Sequence, residues 1–142
     1  VGNGGMTDDE YRAHLSMWAM LAAPLMAGND LRDMSAATRA ILTAPEVIAL
    51  DQDPLGRQAR RVRHGEGTDV WLRELADGAH AVLLLNRREV PARIAVTWAD
   101  LAITGPRAVR DVWERTDLGV RADGHEATVA AHGTAVFRLT DA

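Results

Sequence analysis

The sequence predicts an α+β chain in two parts: a helix–strand–helix stretch of the kind that repeats in a (β/α) barrel, then an antiparallel β-sandwich. Three observations predict it. Apolar residues recur at helical spacing from Tyr11 to Ala22 and run into WAMLAAPLMAGND (Trp18–Asp30), where Pro24 stops the helix and a short apolar segment follows. After Gly56 the period changes from helical to two. Turn signals then punctuate the rest of the chain at short intervals, among them Asp77-Gly78, Gly105-Pro106, Asp123-Gly124 and His132-Gly133.

The first part reads as follows. Val1 to Met6 holds three glycines and is expected to be loop. Thr7-Asp8-Asp9-Glu10 fits a capping box, with acids placed at the positive end of the following helix. Leu25-Met26-Ala27, bounded by Pro24 and Gly28, suits a buried parallel strand. Its exit residues, Asn29 and Asp30, would face the carboxyl end of a barrel, where such folds keep their active sites. Hydrogen bonds from these two to neighbouring loops are favoured over direct substrate contact. Ser35 is placed to cap a short Ala-rich helix from Ala36 to Thr43, with Pro45 just beyond. Glu46 to Leu50 is a further apolar run, and Asp51 to Gly56 has turn chemistry and is read as the boundary between residues 1–55 and 56–142.

The second part offers seven candidate strands: Gln58–His64, Asp69–Leu75, Ala79–Asn86, Ala92–Trp98, Ala108–Glu114, Glu126–Ala130 and Thr134–Leu139. Ala99-Asp100-Leu101 reads as a turn of helix. Trp71, Trp98 and Trp113 fall on these strands. Burial between two sheets is preferred for them over stacking on sugar rings, since one Phe and one Tyr leave few other large aromatics to fill a core.

Composition excludes several functions. The chain has 142 residues, 47% of them apolar and 25% charged, as in an ordinary globular protein. Without cysteine there is no thiolate chemistry. No apolar run approaches the roughly 18–20 residues of a membrane span, and Val1 to Gly5 has no leader-like pattern. Residues 1–55 carry three Arg against eight acids and residues 56–142 thirteen against twelve, so neither part suggests a nucleic-acid partner. Arg57, Arg60, Arg61 and Arg63 cluster without nearby stacking aromatics and read as a solvated strand face paired to acids on the first part. The five histidines lack ligand spacing, and Asp51-Gln52-Asp53 reads as a turn held by its side chains before it reads as a metal site. No nucleophile, base and orienter assemble within the chain.

VGNGGMTDDEYRAHLSMWAMLAAPLMAGNDLR, VIALDQDPLGRQ and the closing HGTAVFRL resemble glycoside hydrolase family 27, the α-galactosidases, over about forty positions of the first part and more loosely beyond it. The resemblance implies a fold: the final βα elements of a (β/α)8 barrel, followed by a C-terminal antiparallel β-sandwich. Val1-Gly2-Asn3 resembles the end of the family's DPDMLxxGN segment on strand seven, Thr7–Ala23 helix seven, Pro24–Asp30 strand eight and Ser35–Leu50 the closing helix region. It also implies retaining hydrolysis of terminal α-galactosides by two aspartates roughly 5 Å apart, without metal or organic cofactor. Neither aspartate has a matching position here, so the resemblance assigns no catalytic, substrate-binding or metal-binding residue to this chain. A chain beginning with Val, without those aspartates, is expected to be the inactive tail of such an enzyme. The galactoside substrate would be met by the missing barrel, and Trp18, Met20 and Leu25 would be left as a patch prone to self-association. Other family specificities, α-N-acetylgalactosaminidase or β-arabinopyranosidase, remain alternatives, as does a non-catalytic carbohydrate-binding module. Many relatives are secreted, and the sequence itself does not fix a compartment.

Overall fold

The computed structural model describes residues 1–142. Its first helix, α1 (Asp8–Met20), starts where the capping box places it. The Glu10 amide donates to Thr7 Oγ1 at 3.3 Å while the Glu10 carboxylate accepts from the Thr7 amide at 2.7 Å. That backbone bond, first of all, holds the Glu10 carboxyl below its usual range. Pro24 does not itself end α1. The helix stops at Met20, and Ala22 adopts a left-handed φ of 51° before the proline is reached. α2 (Ala36–Leu42) is capped by Ser35, which accepts from the Thr38 amide at 3.0 Å. The apolar run after it forms a third helix, α3 (Pro45–Asp51), with proline at its first position, where no amide hydrogen is needed.

Leu25–Ala27 forms no strand in this chain. A parallel strand exists only through neighbours that supply ladder bonds, and none of this chain's strands lies beside the segment.

Beyond Gly56 there are eight strands: β1 (Arg60–His64), β2 (Thr68–Glu74), β3 (His80–Asn86), β4 (Ala92–Thr97), β5 (Arg107–Asp111), β6 (Thr116–Arg121), β7 (Gly124–Val129) and β8 (Thr134–Asp141). Six of them make one sheet in the order β1-β2-β3-β8-β5-β6, and β4 with β7 makes a second, every pairing antiparallel. The second sheet lies on one face of the first, giving the expected sandwich, and the three helices cover the other face. Two of the strand expectations need correction. The run expected to Glu114 leaves the ladder at Asp111 and turns through Val112–Arg115. β6 was not expected at all, because an exposed edge strand interrupted by Gly119 carries no alternation to detect. Ala99–Leu101 is a turn, closed by the Leu101 amide on the Trp98 carbonyl at 3.1 Å.

The double covering explains β3. A strand buried on both faces has no reason to alternate, and His80-Ala81-Val82-Leu83-Leu84-Leu85-Asn86 does not. Ala81, Leu83 and Val136 face the helices, whereas Val82, Leu84, Phe137 and Leu139 face β4 and β7. β4 has one covered face and alternates buried with exposed throughout. Of the tryptophans only Trp98 lies between the two sheets, donating from Nε1 to the Arg121 carbonyl at 3.1 Å. Trp71 and Trp113 pack instead on the helical side. Met20, expected to lack partners, is fully buried in that same core.

Leu83 sits at the centre of the helix–sheet contact with no exposure. Leu83→Ala is expected to cost about 3 kcal/mol in urea unfolding, in the range for a buried Leu that leaves a cavity. Val90→Ala, at an exposed position, is expected to change stability by less than about 0.5 kcal/mol.

Candidate functional site

The segment after Pro24 and the chain's first residues meet side by side. Asn3 donates from Nδ2 to the Gly28 carbonyl at 3.4 Å. Gly2 has φ +82°, and a Cβ there would stand 2.6 Å from Thr38 Cγ2 and 3.4 Å from Asn29 Cγ, so the approach needs glycine on both counts. Asn29 Oδ1 is enclosed here without a hydrogen-bond partner, while its Nδ2 donates to the Asp30 carbonyl at 3.4 Å. Asp30 is gripped by Arg32, which donates Nε at 2.9 Å, Nη2 at 2.6 Å and its own amide at 2.9 Å. The Arg32 side chain is the main reason the Asp30 carboxyl lies below its usual range. A carboxylate held ionised in this way is a poor proton donor near neutral pH.

Behind the segment is an apolar cavity of about 340 Å³, lined among others by His14, Trp18, Leu25, Met26 and Gln52. Met26 is 89% exposed and Trp18 44%. His14 meets the edge of Trp18 with ring centres 5.9 Å apart, and its pKa is lowered by burial and then by the N-terminal ammonium. The lining can hold an apolar side chain or the face of a sugar, and it contains no carboxylate to cleave one.

The other residues singled out in the sequence serve structure. Asp53 holds the turn, accepting the Leu55 amide and the Ala76 amide at 3.1 Å each, and Asp51 accepts from Gln52 at 2.5 Å. The two carboxylates therefore serve different partners, and no group of three or more His, Asp or Glu is placed to hold a metal ion. In the arginine cluster Arg57 pairs with Glu74 at 2.6 Å, Arg63 reaches Asp100 at 3.5 Å and the Ala95 carbonyl, and Arg61 lies over the Trp71 ring at 5.8 Å. These acids belong to the sandwich, not to the first part as expected. Trp113 donates to Ser16 Oγ at 2.9 Å with Arg12 over its ring at 5.2 Å, so that face is closed to a sugar. His64 and Arg87 share the buried Asp69, at 2.5 Å and 3.0 Å. His80 and His125 are half-buried in the sandwich, the latter edge-on to Phe137 at 4.5 Å.

Sequence reasoning passed over Arg73, which proves to be fully buried on β2. An arginine two residues after Trp71, on the same face of the strand, is the signal that could have found it.

The chain's relatives agree with these surroundings. A family model described as the α-galactosidase C-terminal β-sandwich domain matches residues 65–139, and one described as α-galactosidase A matches residues 1–53. The α-galactosidase of Oryza sativa is 41% identical over 142 residues, 99% of this chain and 34% of the relative. A probable α-galactosidase of Dictyostelium discoideum is 40% identical over 99% of this chain and 38% of its own length. The crystal structure of α-galactosidase I from Mortierella vinacea superposes with a TM-score of 0.96 at 33% identity, covering the whole of this chain and 38% of that one. A family 27 β-L-arabinopyranosidase from Geobacillus stearothermophilus superposes at 0.91 and 30% identity, over 97% of this chain and 31% of that one. The chain thus spans about a third of the length of the relatives it matches.

The histidines set an acid limit. Burial lowers the pKa of His80, with Arg107 adding and Glu74 opposing, and burial lowers His125, with Arg121 adding and Asp111 and Glu126 opposing. With His14 that makes three groups that take up protons more readily unfolded than folded. Their stabilisation is complete above the ordinary histidine value of about 6.5 and is lost as pH falls through the lowered folded values. His132 is raised, chiefly by Glu89, and works the other way. The urea midpoint is expected to fall between pH 7.5 and pH 5.5, His80→Gln to flatten that slope and His132→Gln to steepen it. A midpoint that is level or rises on acidification contradicts the assignment.

Proposed function

The chain belongs to the α-galactosidase family, glycoside hydrolase family 27, and from that premise we propose that the whole protein is a retaining α-galactosidase acting on terminal α-galactosides. Residues 1–55 contribute the closing elements of its barrel and residues 56–142 its sandwich. The observation that carries this reading is that relatives named α-galactosidases align with nearly the full chain, helices and sandwich together and in order.

In this reading the chemistry needs two carboxylates flanking the glycosidic bond, one as nucleophile and one as acid/base, roughly 5 Å apart. The segment after Pro24 offers Asp30, whose charge Arg32 holds, and the cavity behind it is lined by no carboxylate. The 142-residue chain alone is therefore inactive, and the whole protein supplies the pair from residues that have no counterpart here. No metal or organic cofactor enters the reaction.

A second reading has a specific observation behind it. The similarity to the Geobacillus β-L-arabinopyranosidase leaves open a family enzyme with another sugar specificity. A binding module built on surface tryptophans has less support, since Trp71, Trp98 and Trp113 all pack within the fold.

Full-length protein is expected to release nitrophenol from 4-nitrophenyl α-galactoside faster than from the β-L-arabinopyranoside or the α-N-acetylgalactosaminide. The reverse order assigns the second specificity. The 142-residue chain is expected to release none above buffer, and turnover by clean material refutes the placement of the catalytic pair. Sedimentation is expected to show concentration-dependent self-association of the isolated chain through Trp18, Leu25 and Met26, reduced in Met26→Glu.

A further inference from the structure

α1 closes its last turn through the backbone at Ala22 and Ala23, but no local donor reaches the Met20 carbonyl. Its final turn has no basic residue, and the left-handed position after it is Ala22, not glycine. Further donors come from the sandwich. The Ala59 amide, just before β1, donates to the Met20 carbonyl at 2.7 Å. Arg73 of β2 donates from Nη1 to the Ala19 carbonyl and from Nη2 to the Asp51 carbonyl, the last residue of α3, at 3.4 Å. One guanidinium with no exposure thus joins two helix C-termini, where the negative ends of both helix dipoles favour a cation. Burial lowers the Arg73 pKa, and Asp53 and Asp51 oppose that effect.

α1 leads directly into Pro24–Asp30, and Ile48 of α3 lines the cavity behind that segment. Ala19 stands five residues before Pro24, and the Ala22 and Ala23 amides fold back onto the Ala19 and Trp18 carbonyls at 3.2 Å and 3.1 Å. The segment is tied in turn to Val1–Asn3 through Asn3 and Gly28. We infer that Arg73 is a positioning residue: by holding the Ala19 and Asp51 carbonyls it sets where Pro24–Asp30 and the adjoining Val1–Asn3 stand, so that the sandwich governs the geometry of the barrel's substrate-facing rim. The part of this inference that concerns the rim rests on the glycosidase reading above.

Two measurements test it. In the 142-residue chain, amide exchange at Leu21, Ala22, Ala23, Gln52 and Asp53 is expected to quicken at least about tenfold in Arg73→Met, while Leu83 and Val136 change less than about twofold. Arg73→Lys, with its charge kept but only one carbonyl within reach, is expected to fall between, and it carries the comparison should Arg73→Met fail to fold. Uniform quickening over the whole chain, or none at the helix ends, overturns the inference. In the full-length protein, assayed well below the melting temperature of each variant, Arg73→Met or Arg73→Lys is expected to raise KM for 4-nitrophenyl α-galactoside about fivefold or more with kcat within about twofold, as displacement of substrate-positioning groups predicts. Arg57→Ala, which removes an exposed charge, is the control and is expected to leave both unchanged. An unchanged KM in the Arg73 variants overturns the claim on the rim. If the wild-type full-length protein cleaves no glycoside at all, the proposed function fails, and the exchange measurement alone decides whether Arg73 holds the segment.

Discussion

Every helix must find partners for its last carbonyls, and in this chain that requirement couples the two parts. The carbonyls of Ala19, Met20 and Asp51 point at the sheet and are met there by Arg73 and the Ala59 amide. A buried guanidinium is costly to desolvate. It is tolerated here because carbonyl dipoles and two nearby aspartates surround it. The same arrangement makes each part dependent on the other: without the helices Arg73 would be a lone charge beside Trp71 and Leu83, and without the sheet the Met20 and Asp51 carbonyls would lose their donors.

Apolar packing supplies the area and polar bonds supply the register. The helical face of the large sheet is closed by Tyr11, Leu15, Met20, Ile41, Val47 and Leu50, an ordinary hydrophobic contact that could slide. Ion pairs and hydrogen bonds pin it. Arg110 on β5 grips the Glu46 carboxylate of α3 with two bonds, at 2.9 Å and 2.7 Å, and Trp113 hydrogen-bonds Ser16 of α1. On the far side, Asn86 at the end of β3 is fully buried and donates to the Val90, Val129 and Ala130 carbonyls, fastening the small sheet to the large one. The arginine-rich β1 is an edge strand, and its charges discourage a second chain from pairing there, while Arg63 reaches across to cover a carbonyl of β4.

The parts of this fold that were legible in the sequence are those governed by local chemistry. The capping box at Thr7–Glu10, the cap at Ser35, the period change after Gly56 and the hairpin at Asp77-Gly78 depend on a few adjacent residues. What escaped depends on distant ones. β6 has no apolar rhythm because it packs little. Trp71 and Trp113 turn toward the helices because the sandwich has a third layer, which no strand pattern announces. Arg73 reads as a polar position in an alternating strand until helix ends are known to lie above it. At the site the limit was of another kind. Asn29 and Asp30 could be named as strand-exit residues, but Arg32 closing on Asp30, and the enclosed Asn29 Oδ1, are matters of side-chain placement.

Leu25–Ala27 shows how far a sequence can encode structure that its own chain does not complete. The residues have the composition of a buried strand, yet they make no ladder, because a parallel strand is a property of the pair and not of the segment. Met26 stays open to solvent while Leu25 packs on the helix–sheet core, which is the division expected of a strand covered on one face only. The half that is already covered is the half that the sandwich stabilises. In a complete barrel the ladder would come from other strands while the height of the segment would already be set from outside by α1 and α3. Closure of such a barrel therefore adds hydrogen bonds to a segment whose placement has been decided by the domain behind it.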